Sequence, residues 1–163
     1  MALSVPDICD DHSGRLQVLD PVFRSYGGRR KFCGKVVTVR CFEDNSLVKS
    51  TLSGEGQGQV LVVDGSGSMR CALLGDLLGA MARDNGWSGV LVNGCVRDVE
   101  ILETIDLGVL ALNRHPARSN KRGEGDLNIP VRFHGVNFRH GQFLYADENG
   151  VVVAEADLGV DFS

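Results

Sequence analysis

Residues 60–94 read VLVVDGSGSMRCALLGDLLGAMARDNGWSGVLVNG. The continuous apolar run at 60–63 suits a strand buried on both faces, and Asp64-Gly65-Ser66-Gly67-Ser68 ends it in a turn. Residues 69–74 suit a further strand, after which Gly75-Asp76 opens a helix whose apolar positions Leu77, Leu78, Met81 and Ala82 recur at helical spacing. Asn85-Gly86 closes that helix, as a pair tolerant of left-handed backbone does, and residues 90–94 form the next buried strand. Strand, helix and strand in this order call for parallel pairing.

Working outward, Val37, Val39 and Cys41 alternate with Thr38 and Arg40, which predicts a half-buried strand over 34–42. A short helix is expected over 96–105, with Val99, Leu102 and Ile105 toward the core, and a third strand over 107–112. The start of the chain suits a helix around Val5–Asp11, and residues 113–128 read as a polar loop. From Ile129 onward, His134-Gly135, His140-Gly141 and Asn149-Gly150 punctuate short strands in the manner of antiparallel hairpins. The expected fold is α/β with a mixed or layered β arrangement, in a single domain over residues 1–163.

Composition narrows the function classes. The 17 Lys and Arg against 21 Asp and Glu give a net charge of −4, which argues against a general nucleic-acid binder but leaves room for a local anion site. Five cysteines, an odd number with no Cys-x-x-Cys, suggest neither a disulfide framework nor a zinc knuckle, so reduced thiols in a cytoplasmic protein are expected. No segment approaches the roughly 20 apolar residues that span a bilayer. The 21 glycines exceed the ~7% background and lie scattered between apolar runs, at turn and close-approach positions.

Among candidate functional residues, Asp64–Ser68 lacks both Gly-x-Gly-x-x-Gly spacing and a following Gly-Lys-Ser/Thr, so it reads as a structural turn. At Gly75-Asp76-Leu77-Leu78 a helix begins, where backbone N–H groups lack intrahelical partners. Asp76 either caps that helix or leaves its amides to an anion. Arg97-Asp98 follows a buried strand and the turn Asn93-Gly94, at a strand's carboxyl end where α/β sheets bind ligands. Arginine offers a planar fork of donors for a carboxylate, and aspartate offers hard oxygens for Mg²⁺ or Mn²⁺. The four histidines show no zinc-ligand spacing, and Arg114, Arg118, Lys121 and Arg122 read as a solvated loop.

Asp76 and Arg97-Asp98, with twenty residues between them, within Leu-Leu-Gly-Asp-Leu-Leu and Asn-Gly-Cys-Val-Arg-Asp, resemble a known pattern. It is that of the regulator of ribonuclease E activity A and the related 4-hydroxy-4-methyl-2-oxoglutarate aldolases. The resemblance extends to the segments at 41–49, 121–128 and 145–153. It implies an α/β/β fold of the swivelling-domain type, a ring-like homotrimer, and active sites in clefts between subunits. It also implies a class II lyase, dependent on a divalent cation (Mg²⁺ or Mn²⁺), that acts through a pyruvate enolate. Such an enzyme cleaves 4-hydroxy-4-methyl-2-oxoglutarate or related 4-carboxy-4-hydroxy-2-oxo acids and decarboxylates oxaloacetate. By the same resemblance Asp98 holds the cation largely through waters, and Arg97 binds substrate oxygens. The amides of Gly75, Asp76, Leu77 and Leu78 grip the pyruvyl carboxylate, and Asp76 positions a proton-exchanging water. Longer aldolases add a C-terminal segment whose carboxylate serves the neighbouring subunit, whereas this sequence ends at Ser163, so decarboxylation is the more direct expectation. A non-catalytic regulator that binds ribonuclease E is the alternative.

Overall fold

The computed structural model describes residues 1–163. In chain order its elements are α1 Val5–Asp11, β1 Leu16–Val18, β2 Arg24–Ser25, β3 Phe32–Arg40, α2 Ser46–Leu52, β4 Val60–Asp64, β5 Ala72–Leu74 and α3 Asp76–Asp84. There follow β6 Gly89–Val96, α4 Val99–Leu102, β7 Gly108–Arg114, β8 Asp126–Leu127, β9 Val131–Phe133, β10 Val136–Phe138, β11 Phe143–Asp147 and β12 Gly150–Ala154. No helix is long and apolar enough to cross a membrane.

The main sheet runs β1-β12-β11-β3-β4-β6-β7-β2, with β5 paired to β6 and β8 to β3. Its centre is parallel: Leu61 pairs with Val37 on one side and Val90 on the other, and Val90 in turn with Val109. The flanks β1, β11, β12 and β2 are antiparallel. Because side chains alternate along a strand, the two faces divide by residue parity. Val37, Val39, Leu61, Val63, Val90, Val92, Val109 and Ala111 meet Leu52, Ala82 and Leu102 of the helices. Val36, Val60, Val62, Leu91 and Leu110 meet Val131, Phe133, Val136, Phe138 and Leu144. Burial on both faces is why these strands are continuous apolar runs. The result is the expected α/β/β layering with C-terminal antiparallel strands, in which the turns at 134–135 and 149–150 join hairpins, whereas His140-Gly141 carries the chain from β10 to β11 in a different sheet.

The N-terminal helix lies on the outer side of β11 and β12, where Val5 and Ile8 join Tyr145, Val152 and Phe162. A capping box starts it: the Asp7 amide donates to Ser4 Oγ (3.2 Å) and the Ser4 amide to Asp7 Oδ2 (2.8 Å).

Several boundaries differ from the sequence reading. The strand expected over 34–42 occupies Phe32–Arg40, and that expected over 69–74 is confined to Ala72–Leu74. Val96 extends β6 because Arg114 pairs with it, so the helix expected from 96 begins only at Val99. The polar segment 113–128 likewise gives its first two residues to β7, and Asp126–Leu127 pairs with Arg40 and Val39. On α3 the buried positions are Gly79 and Ala82, whereas Leu77 is 79% exposed.

Glycine permits the closest packing at one end of the sheet, where the Phe32 ring lies against Gly89 and Gly108. A Cβ at Gly108 would stand 2.2 Å from Phe32 Cδ1, and one at Gly89 2.4 Å from Cε2. Gly108→Ala is therefore expected to cost about 1–3 kcal/mol in urea denaturation, the range for overpacking. Adding Phe32→Leu should make the total smaller than the sum of the two single changes.

Candidate active site

The parallel pairing of β5 with β6 brings the expected residues together. Ala72 pairs with Cys95 and Leu74 with Val96, and the ladder is carried on by the Arg97 amide, which donates to the Leu74 carbonyl at 2.9 Å. Gly75 and Arg97-Asp98 thus leave adjacent strands side by side. Gly75 is the extended N-cap of α3, and a Cβ there would lie 2.6 Å from Asp98 Oδ2 and 3.3 Å from Arg97 Cγ. Glycine is required by this approach, not by its dihedral angles. Asp98 takes up left-handed backbone (φ +56°), a conformation aspartate adopts more readily than most residues. That turn aims its carboxylate at α3, where Oδ2 accepts from the Asp76 amide at 3.1 Å.

Two of the amides expected to grip a substrate carboxylate therefore already face the protein's own carboxylates. Asp76 N–H meets Asp98, and Leu77 N–H donates to Asp76 Oδ1 at 2.9 Å. The helix start is thus an anion site by construction. Arg97 and Asp98 form no ion pair with each other. One guanidinium nitrogen, Arg97 Nη1, donates to the Pro116 carbonyl at 3.4 Å, which leaves the rest of the fork without a carboxylate partner. The second oxygen of Asp98 has no hydrogen bond within the protein. No three His, Cys, Asp or Glu side chains gather into a cage of protein ligands. One hard carboxylate oxygen in a polar wall suits Mg²⁺ or Mn²⁺, which keep several waters and need only one or two carboxylates.

These residues line a cavity of about 240 Å³ together with Asn45, Lys49, Arg118, Ser119 and Lys121. Its wall carries four cations, Lys49, Arg97, Arg118 and Lys121, against the two carboxylates of Asp76 and Asp98, in a chain of net charge −4. Arg118 and Lys121 belong to the loop that the sequence suggested was merely solvated. What brings them here is Asp44, only 1% exposed, which accepts from the amides of Ser46 (2.9 Å), Arg122 (2.7 Å) and Glu124 (3.4 Å). Ser119 Oγ accepts from the Asn45 amide at 3.1 Å, and the Asn120 amide donates to the Glu43 carbonyl at 2.8 Å. Burial alone would raise the Asp44 carboxyl, but the hydrogen bonds from Ser46, Arg122 and Glu124 outweigh it and hold it below the usual carboxylate range.

Other nucleophile candidates fall away. Burial pushes the Cys41 thiol up to about 12 and raises Cys71 and Cys95 as well, so none is a thiolate at neutral pH. The Asp64–Ser68 turn is closed on itself, with Asp64 Oδ1 accepting from the Ser66 amide and Asn93 Nδ2, both at 3.0 Å. Glu43 sits at another edge, held below its ordinary range by Arg70 (2.6 Å) and Ser68 (2.5 Å).

Comparison with known proteins shows the family and the fold. The family model described as Aldolase/RraA, RraA-like, matches residues 5–153. A protein of Aromatoleum aromaticum named "putative 4-hydroxy-4-methyl-2-oxoglutarate aldolase" is 54% identical over 97% of this chain and 99% of its own. One of Pseudomonas fluorescens with the same name is 54% identical over 94% of each. Among solved structures, the RNA-processing inhibitor RraA from Thermus thermophilis is similar at a TM-score of 0.94 and 45% identity, covering 98% of each chain. A protein of Geobacillus kaustophilus described as S-adenosylmethionine:2-dimethylmenaquinone methyltransferase reaches the same TM-score at 44% identity, covering 96% of this chain and 97% of its own.

Because the fold favours ionised Asp44, its contribution is present at neutral pH and is lost as the pH falls through and below about 4. Asp44→Asn should lower stability at pH 7 by about 1–3 kcal/mol. It should also flatten the acid limb of a plot of urea midpoint against pH.

Proposed function

The chain belongs to the RraA-like family, and from that premise we propose that it is a divalent-metal-dependent lyase working through a pyruvate enolate. Its reactions on this reading are decarboxylation of oxaloacetate and aldol cleavage of 4-hydroxy-4-methyl-2-oxoglutarate. The observation that carries this reading is the convergence, in one cavity, of the α3 N-terminus, Arg97 and Asp98 within a cationic wall. The relatives named as aldolases add support, and this chain spans nearly their whole length.

In the decarboxylation the C3–C4 bond of oxaloacetate breaks, CO₂ departs, and the bonding pair becomes a C2 enolate that takes a proton at C3 to give pyruvate. The residues serve that charge movement. The positive end of α3, through the Leu78 amide that Asp98 and Asp76 leave unpaired, faces the C1 carboxylate, and the Arg97 fork binds the C1 and C2 oxygens, where its charge counts most as the enolate develops. Asp98 would hold Mg²⁺ or Mn²⁺ through its free oxygen, and the bound cation supplies positive charge that stabilises the enolate. Asp76, at the cavity wall, orients the water that exchanges a proton with C3. No lysine Schiff base is needed. By the family resemblance the working form on this reading is a homotrimer with sites between subunits, and the exposed Leu77 beside the cavity is compatible with cover by a neighbouring subunit. The five free thiols suit the cytoplasm.

A second reading, a regulator that binds ribonuclease E, is supported by the resemblance to the RNA-processing inhibitor. It would use the outer surface, so capture of the ribonuclease's scaffold region that survives both chelator and Asp98→Ala would place regulation away from the cavity. The methyltransferase description of the Geobacillus protein finds no matching feature here, since the glycine turn at 64–68 is spent on its own hydrogen bonds.

The lyase reading predicts pyruvate release from oxaloacetate with Mg²⁺, above the metal-only blank, that chelator abolishes. Arg97→Ala and Asp98→Ala, shown folded by circular dichroism, should each lower it by roughly a hundredfold or more. Folded variants with full activity would contradict the mechanism.

A further inference from the structure

His115, Pro116 and Ala117 form an arch that stands behind Arg97, outside the set of residues that line the cavity. The arch is pinned to the sheet at both ends. The His115 amide donates to the Val96 carbonyl at 2.9 Å, and the Ala117 carbonyl accepts from the Ala72 amide at 2.8 Å. Val96 and Ala72 belong to β6 and β5, the strands that deliver Arg97 and Gly75. At the crown the Pro116 carbonyl accepts from Arg97 Nη1 at 3.4 Å, and this is the one hydrogen bond that the guanidinium makes within the chain. Proline fixes its own φ and presses the residue before it toward extended backbone, so the first half of the arch has little freedom. Because proline has no N–H, the Ala117 amide is the donor left inside the turn. Its partner is the imidazole: Ala117 N–H donates to His115 Nδ1 at 3.0 Å. A backbone donor settles the tautomer, since Nδ1 must offer its lone pair and the ring proton then sits on Nε2.

We propose that His115 is a positioning residue for the lyase reaction, holding the arch in the shape that points the Pro116 carbonyl at Arg97. The inference rests on the lyase reading, in which the Arg97 fork binds the substrate's C1 and C2 oxygens. An arginine side chain has several rotatable bonds, and a guanidinium left without a partner samples many directions. Because the group is planar, a carbonyl that takes up one of its N–H bonds also limits the plane in which the remaining donors lie. The carbonyl is neutral, so it orients the cation without cancelling the charge that the enolate needs. A carboxylate in its place would form an ion pair and weaken that charge. The bond from the Ala117 amide to His115 is the imidazole counterpart of the turn that asparagine forms with the amide two residues on. That likeness separates the hydrogen bond from the size and aromatic character of the ring. Asparagine keeps the acceptor and loses the ring, whereas phenylalanine keeps the ring and loses the acceptor.

Steady-state decarboxylation of oxaloacetate by the full chain with Mg²⁺, corrected for the metal-only blank, tests this role in His115→Asn, His115→Phe and His115→Leu, each checked for folding by circular dichroism. His115→Phe and His115→Leu should each lower kcat roughly tenfold and change KM by less than about twofold, because a misdirected fork costs most as charge develops. His115→Asn, which rebuilds the turn, should keep at least about half of the wild-type kcat. A wild-type kcat in folded His115→Phe or His115→Leu, or a loss in His115→Asn as large as theirs, would overturn the positioning role while leaving the lyase reading intact. Wild-type protein with no turnover above the blank would overturn the lyase reading and the role of His115 with it.

Discussion

The hydrogen bond from the Asp76 amide to Asp98 Oδ2 ties the first residue of α3 to the turn that follows β6, and the rest of the site is arranged around it. It can form only because Gly75 has no Cβ and because Asp98 accepts left-handed backbone. With the bond in place, a helix N-terminus, a guanidinium and a carboxylate open into one cavity without any of the three neutralising another as a simple ion pair. Removing either condition would move the carboxylate away from the helix. Backbone strain of this kind costs of order 1–3 kcal/mol and persists where the surrounding structure fixes it, as the β5–β6 ladder does here.

A second long-range tether gives the cavity its charge. Asp44 reaches across 78 and 80 residues of sequence to the Arg122 and Glu124 amides, and so lays the loop carrying Arg118 and Lys121 along the cavity wall. In a chain with more acids than bases, this concentrates positive potential at one place. A local cationic cleft in an acidic protein attracts small anions without the broad basic face that nucleic acid requires. The sheet supplies the rigid support. Its central strands are buried by helices on one side and hairpins on the other, so the strand ends that carry Gly75, Arg97 and Asp98 have little freedom to move.

The sequence made some of this legible and hid the rest for identifiable reasons. The apolar runs of β4, β6 and β7 and the start and end of α3 could be read locally, because burial on two faces and helix termini leave short-range signatures. The hairpin turns at His134-Gly135 and Asn149-Gly150 were equally plain, and glycine has positive φ in both. The two-residue strands β2 and β8 depend wholly on partners distant in sequence. Helix α2 has only Leu47, Val48 and Leu52 to mark it among polar residues, too weak a local pattern to show in the sequence. Leu77 fits the helical spacing yet faces outward at the cavity, because Gly79 and Ala82 are what α3 presses into the core. Asp76, Arg97 and Asp98 were placed together by motif and by strand-end position. Lys49, Arg118 and Lys121 were not, since only the Asp44 tether and the packing of α2 bring them to the same wall.

The most direct test of the enolate account is proton exchange on bound pyruvate, which needs no carbon–carbon bond to break. Pyruvate in D₂O with Mg²⁺ and the protein would be followed by proton NMR for loss of its methyl signal. The account predicts exchange in proportion to protein above the metal-only blank, lost in Arg97→Ala and strongly slowed in Asp76→Asn. Exchange no faster than the blank, or unchanged in folded Arg97→Ala, would contradict it.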